Sequence, residues 1–145
     1  MLRDPSLIPL SHQHQHALAL CVQTRRTLAA NPTAVEIRSL ADTILGHFES
    51  EMRNHFASEE TILFPMMAAF PSTETLVVEL VSEHRRMTEL VHGLDASPAK
   101  DSMLEFSELL VRHVRKEEGV LFEEAQRLLT REQLKEAGEL LVRSL

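Results

Sequence analysis

Apolar residues recur along this chain at the three- and four-residue spacing of amphipathic helices, in blocks separated by proline, asparagine and serine. The blocks predict four long helices and a short fifth helix. Their predicted spans are about residues 11–30, 33–64, 73–94, 102–129 and 131–144. Because short links join the long helices, neighbours should run antiparallel. The predicted fold class is therefore all-α, an up-down-up-down four-helix bundle with a short fifth C-terminal helix.

Small polar residues mark the predicted helix starts, and a proline marks one predicted end. Ser11 is the expected N-cap of the first helix, and capping-box patterns begin at Thr33, Ser102 and Thr130. Pro65 is expected to end the second helix at the residue before it. The fifth helix is expected to cover one end of the bundle.

A ten-residue pattern occurs twice, as HFASEETILF from His55 and as HVRKEEGVLF from His113. Both copies have the form His-x-x-x-Glu-Glu-x-x-Leu-Phe. A histidine and a glutamate four residues apart on a helix project from one face, about one turn apart, and can reach one ion. Two such turns facing each other could hold two ions.

Helical projection at about 100° per residue indicates where the two copies point. His55 and Glu59 lie on the apolar face of the second helix, and His113 and Glu117 lie on the apolar face of the fourth, with Val120 among their neighbours. Burial of an ionised carboxylate without a partner costs several kcal/mol. The inward glutamates therefore predict a bound cation.

Two further histidines are projected into the same interior. His14 is centred on the apolar face of the first helix, and His84 is centred on that of the third. His12 and His16 project from the opposite, polar side of the first helix, although either remains an alternative to His14. Four inward histidines on four helices are hard to explain as separate core residues.

Several polar residues next to these positions are projected away from the interior. Glu60 and Glu118 point toward solvent, whereas His47 and His92 lie on the shoulders of their helices. We interpret the two shoulder histidines as boundary residues, with His47 as an alternative group that positions a ligand. Glu51 is open to three interpretations: a partner for an imidazole N–H, an extra ligand, or a boundary carboxylate, which we favour.

Length and composition narrow the function classes. The chain has 145 residues, enough for one domain at residues 1–145, with the bundle at about 11–129 and the last helix at about 131–144. A lone cysteine, Cys21, excludes an internal disulfide and a multi-cysteine metal site, and the lack of tyrosine excludes a tyrosyl-radical enzyme. The net charge of −7, with scattered basic residues, argues against nucleic acid or a membrane as partner. We expect a cytoplasmic protein, since no signal peptide is evident. We also expect a monomer or a homodimer.

The donor set indicates the metal. Four imidazoles and two carboxylates exceed the four ligands of a structural zinc site, and without thiolates the set does not suit copper(I) or clusters. Mixed nitrogen and oxygen ligation suits two iron ions, with manganese or zinc as substitutes. Glu59 and Glu117 are expected to bridge the two ions.

At these residues the sequence resembles the hemerythrin-like, or HHE cation-binding, family. The resemblance covers about residues 7–128 and rests on four motifs: LSHQH, HFASEE with the following LFP, SEH and HVRKEE. It implies a non-haem di-iron centre that binds or senses O2, nitric oxide, peroxide or iron. The positions that match the family's metal ligands are His14, His55, Glu59, His84, His113 and Glu117.

Two departures from the family's oxygen carriers bear on function. Thr88 stands where the carriers have a fifth histidine, and Glu118 stands where they have a ligating aspartate, although helical projection favours Glu117. One histidine fewer leaves more open coordination, which weakens the case for pure O2 carriage. A binding or sensing protein is the favoured interpretation. The alternatives are a di-iron enzyme, such as a ferroxidase or peroxidase-like protein, and a helical interaction scaffold without metal.

Overall fold

The computed structural model describes residues 2–145, and within that range it contains five helices and no strand. This confirms the all-α prediction. Three helices are regular: α1 (Ile8–Ala29), α3 (Pro71–Ala96) and α5 (Arg131–Ser144). The other two, α2 at residues 34–68 and α4 at residues 100–128, are continuous helices interrupted by π turns, which are wider turns with one extra residue.

The π turns interrupt α2 twice and α4 once. In α2 the segments are Ala34–His47, the π turn Phe48–Met52, Arg53–Ser58, the π turn Glu59–Leu63 and Phe64–Ala68. In α4 they are Lys100–Lys116, the π turn Glu117–Leu121 and Phe122–Leu128. The second and third π turns begin at the inward glutamates of the two sequence copies.

Two of the four predicted caps are confirmed. The side chains of Thr33 and Thr130 each accept a hydrogen bond from the backbone N–H three residues on, and the side chains of Glu36 and Gln133 each accept one from the backbone N–H of that threonine. Ser11 was the wrong N-cap, because a 3-10 turn at Pro5–Leu7, capped by Asp4, leads straight into α1.

Three other helix ends were also predicted wrongly. α2 passes Pro65 and ends at Ala68, because the π turn before this proline already breaks the regular hydrogen-bond ladder and leaves room for its ring. α3 begins earlier than expected, at Pro71, whose missing N–H is harmless in a first turn. α4 begins at Lys100 after extended Ala99, so Ser102 lies inside the helix.

The helices pack around two apolar clusters that meet at one polar layer. α1 and α3 each contact both α2 and α4, whereas α5 packs on the Pro5–Leu7 turn and on α2. One cluster contains Phe48 and Phe106, and the other contains Leu63 and Phe122. On each long helix the buried histidine lies between residues of the two clusters, so the bundle has a polar layer across its middle. No helix in residues 2–145 combines the length and apolar character needed to cross a membrane.

Candidate metal centre

The four long helices bring six buried polar side chains together in the polar layer. Each of the six is 0–4% exposed. They are His14 from α1, His55 and Glu59 from α2, His84 from α3, and His113 and Glu117 from α4. All six residues chosen from the sequence therefore meet at one place, and none is displaced to the surface.

Their ligand atoms form two overlapping groups of four. His14 and His55 share one group with Glu59 and Glu117, and His84 and His113 share the other group with the same two glutamates. Within each group the candidate ligand atoms lie within 4.8 Å of one another. The two carboxylates thus lie between two histidine pairs, as the sequence led us to expect.

All four imidazoles direct Nε2 toward the carboxylates. His14 Nε2 lies 2.9 Å from Glu117 Oε1, and His113 Nε2 lies 3.4 Å from the same oxygen. His84 Nε2 lies 3.1 Å from Glu59 Oε1, and His55 Nε2 lies 3.4 Å from Glu59 Oε2. Imidazole nitrogens and carboxylate oxygens therefore converge on one centre.

The outer nitrogen, Nδ1, of each imidazole contacts a polar side chain from another helix. His55 contacts Gln13 Oε1 at 2.7 Å, and His84 contacts Glu60 Oε2 at 2.8 Å. His113 contacts Glu83 Oε1 at 2.8 Å, and His14 contacts Glu118 Oε2 at 2.6 Å. These four contacts form a cycle around the bundle. A side chain of α1 contacts the histidine of α2, one of α2 contacts that of α3, and one of α3 contacts that of α4. A side chain of α4 contacts the histidine of α1 and closes the cycle.

The cycle corrects the prediction that Glu60 and Glu118 point toward solvent. Their side chains are 39% and 31% exposed, yet each carboxylate bends across the helix interface to an imidazole. A residue next to an inward residue is turned by about 100°, which is the direction of the neighbouring helix rather than of solvent. Sequence reasoning also missed Gln13 and Glu83. Each directly precedes an inward histidine, and this adjacency is the signal that could have indicated a side chain directed toward the neighbouring helix.

The donor set fits a cation. A carboxylate or an amide oxygen only accepts hydrogen bonds, so an Nδ1–H that donates to it leaves Nε2 with an inward lone pair. His84 Nε2 and His113 Nε2 lie 3.1 Å apart, so their lone pairs would face each other unless a proton or a cation lies between them. Both oxygens of Glu59 and Oε2 of Glu117 are buried with no hydrogen-bond partner within residues 2–145. Positive charge between these groups would satisfy all of them.

Burial and neighbouring charges shift the pKa values of the buried groups in opposite directions. Burial, strengthened by the charge of Glu117, raises the pKa of Glu59 well above its usual range. Burial would also raise the pKa of Glu117, but the charge of His113 and the hydrogen bonds with Glu59, His113 and His14 together outweigh burial and hold that pKa well below the usual range. Burial, together with the charge of His14, lowers the pKa of His55 to about 3. Such opposed shifts in one buried cluster are typical of a functional site.

Phenylalanine rings hold the imidazoles from the sides. Phe56 stacks on His84 with ring centroids 3.9 Å apart and planes 13° apart, and Phe122 stacks on His14 at 5.6 Å and 10°. The packed rings limit rotation of the imidazoles about χ2. The apolar wall also excludes water from the ligand atoms, which strengthens their electrostatic interaction with a cation.

The remaining polar residues considered from the sequence lie outside the six. His12 and His16 are exposed, so neither takes the place of His14, and the Thr88 hydroxyl donates to the backbone oxygen of His84. Glu51 belongs to neither ligand group and contacts His16 Nδ1 at 2.9 Å. This position agrees with the boundary carboxylate that we favoured.

Comparison with known protein families shows to which family the chain belongs. The model of the hemerythrin HHE cation-binding domain matches residues 9–125. The chain belongs to this family. The match includes all six residues of the polar layer, so the hemerythrin-like chain has a buried His/Glu cluster suited to cation binding. Neither the curated proteins nor the solved structures gave a match to the chain.

Proposed function

We propose that this hemerythrin-like protein holds two iron ions in the polar layer and uses them to bind or sense a small molecule such as O2, nitric oxide or peroxide. His14 and His55 would be the terminal ligands of one ion, and His84 and His113 those of the other. Glu59 and Glu117 would bridge the two. The observation that carries the proposal is the pair of ligand groups that share both carboxylates.

The donor chemistry of the cluster is compatible with iron. Nitrogen and oxygen donors without a thiolate suit iron, manganese or zinc, but not copper(I) or an iron-sulfur cluster. Each proposed ion receives two imidazole nitrogens and two shared carboxylates, and iron accepts further ligands beyond four. The metal pair would supply the redox and ligand-binding chemistry, while the chain orients the donors and excludes water.

Metal quantification on the purified protein tests the proposal. We expect about two metal ions per chain in the wild type and a sharp loss in His55→Ala and Glu59→Ala, because each substitution removes a donor from the cluster. His92→Ala is the matched control, since His92 is exposed and lies outside both ligand groups. Wild-type protein with far less than one metal per chain, and with unchanged melting after chelation, would instead favour the scaffold alternative.

Optical spectra then separate binding from catalysis. The chain has no Trp or Tyr, so absorption in the near-ultraviolet and visible regions reports on the metal with little protein background. A binding or sensing protein is expected to give a stable spectrum with O2 or nitric oxide that reverses when the gas is removed. Sustained turnover of peroxide or O2 by the loaded protein would support the enzyme alternative.

A further inference from the structure

His47 is half-buried, and its two ring nitrogens are buried without a hydrogen-bond partner. Its side chain is 18% exposed, and neither Nδ1 nor Nε2 makes a hydrogen bond within residues 2–145. Burying polar atoms without partners destabilises a fold, so such a group requires an explanation. The packing of α2 does not provide one, because an apolar side chain of similar size would fill the same space.

A small cavity joins His47 to the metal centre. Its wall includes His47 together with His14, His55 and His113, and apolar side chains such as Met52 and Leu110. The cavity has a volume of ≈ 10 Å³ for a water-sized sphere, roughly the room that one water molecule needs. His47 precedes His55 by two turns of α2, and the side chains of both residues line this cavity.

Glu51 determines which ring nitrogen of His47 carries the proton and which can accept a hydrogen bond. Burial lowers the pKa of His47, more than the nearby charge of Glu51 raises it, so the ring is neutral and carries one proton. His47 Nε2 faces Glu51 Oε2 at 3.7 Å, and the same carboxylate is held by His16. A carboxylate only accepts, so it favours the proton on Nε2. Nδ1 of His47 is then left with a lone pair.

We propose that His47 positions a small hydrogen-bearing oxygen ligand, hydrogen peroxide, at the metal centre by accepting a hydrogen bond at Nδ1 from the peroxide oxygen that occupies this cavity. The inference rests on the proposed metal-binding function and adds a selectivity to it. Hydrogen peroxide carries O–H donors, whereas azide carries no hydrogen and can only accept hydrogen bonds. His47 therefore favours peroxide over azide at the same metal centre.

The test compares two ligands in two variants of the iron-loaded protein. Hydrogen peroxide and azide are titrated separately, and the concentration that gives half of the spectral change is measured for wild type, His47→Leu and His92→Leu. We expect His47→Leu to raise the half-maximal peroxide concentration about fivefold, the effect of one hydrogen bond, and to leave that for azide unchanged. His92→Leu, a substitution of an exposed histidine, should change neither value.

Further measurements separate this role from packing and from metal loss. The melting temperature of His47→Leu should equal or exceed that of the wild type, and its iron content should be unchanged. His47→Gln offers a carbonyl acceptor and should recover part of the peroxide affinity. In zinc-loaded protein with ¹⁵N-labelled histidine, the NMR shifts should show the proton of His47 on Nε2.

Three results would overturn the inference. They are unchanged peroxide binding in iron-loaded His47→Leu, equal weakening of peroxide and azide in that variant, and a proton on Nδ1 of His47. Each of these leaves the proposed function standing. A wild-type protein that takes up no iron would instead overturn the proposed function, and this inference with it.

Discussion

At the scale of single residues, the outer contacts of the imidazoles complete the metal centre. A carboxylate on Nδ1 fixes the tautomer and the ring orientation and makes Nε2 a stronger donor. Three of the four histidines have a glutamate in this place, whereas His55 has the neutral amide of Gln13. His55 is therefore expected to be the weakest of the four nitrogen donors, and the two proposed ions are expected to be inequivalent.

Glu83→Ala tests the contribution of an outer contact. Without this carboxylate, His113 loses its Nδ1 partner, and metal affinity should fall by about tenfold, as measured by competition with a chelator. Glu79→Ala is the matched control, because Glu79 and Glu83 both bind Lys116 but only Glu83 contacts His113. Equal affinities in the two variants would show that the contact with His113 does not matter.

The inward residues could be predicted from sequence, but which outer side chain contacts which histidine could not. The direction of His55 or Glu59 follows from the apolar face of a single helix, which a 3.6-residue period defines. The partner of His113 depends instead on which helix lies beside α4 and on how far the Glu83 side chain reaches. Both are properties of the packed bundle, and the sequence pattern of one helix contains neither.

Titration of His113 makes the benefit of metal binding depend on pH. Burial alone would lower its pKa, but Glu117 and Glu83 raise it from 6.5 to about 9. In metal-free protein the imidazolium stabilises the fold fully below pH 6.5, and this contribution is lost as the pH rises through 9. A metal needs the unprotonated nitrogen, so its affinity increases over the same interval.

We therefore expect the melting temperature of metal-free protein to fall between pH 6.5 and pH 9, while its difference from the metal-loaded protein widens. Calorimetric melting of both forms across this interval measures the effect. Parallel curves for the two forms would contradict the assignment of this titration to the metal centre.

At the scale of helices, the π turns explain why one residue predicted to point inward is exposed in the structure. Regular projection placed Val120 on the inner face of α4, but this residue is 48% exposed. It lies within the π turn Glu117–Leu121, where the extra residue changes the angle between neighbours. Hydrophobic periodicity assumes a constant angle, so it cannot reveal a local widening of the helix. The two capping boxes at Thr33 and Thr130 were predictable because their hydrogen bonds are local.

The close approach of α5 to the N-terminal turn gives a prediction for this helix. A Cβ atom added to Gly138 would lie 2.8 Å from Ser6 Cβ and 2.9 Å from Ser6 Cα. Because backbone is involved, Gly138→Ala should destabilise the protein by about 1–3 kcal/mol in urea unfolding. Gly46→Ala is the control: its added Cβ meets nothing within 4 Å, and it should stabilise α2 by about 0.5–1 kcal/mol. A neutral Gly138→Ala would mean that α5 shifts freely.

At the scale of the whole molecule, the polar layer divides the core into two apolar clusters. The bundle depends on the centre of this layer, because all four long helices contribute to it. Buried carboxylates and imidazoles that lack compensation oppose folding, whereas a bound cation links the four helices. The metal is thus expected to contribute to the stability of the fold as well as to its function.

Removal of the metal should lower the stability of the whole bundle. A cation present at a thousand times its dissociation constant stabilises the native state by about 4 kcal/mol. For a chain of this size the loss corresponds to a fall in melting temperature of roughly 10 °C. Melting curves before and after chelation measure it, and restored metal should reverse the change. An unchanged midpoint would show that the helices hold together without the cation.

The burial of the ligands also has a consequence for the lifetime of a bound ion. The six side chains are 0–4% exposed, and the adjoining cavity has room for about one water molecule. An ion therefore leaves only when the helices separate, so its exchange rate follows the rate of opening of the bundle rather than its affinity. Isotope exchange should then accelerate with mild denaturant and not with the concentration of competing metal in solution.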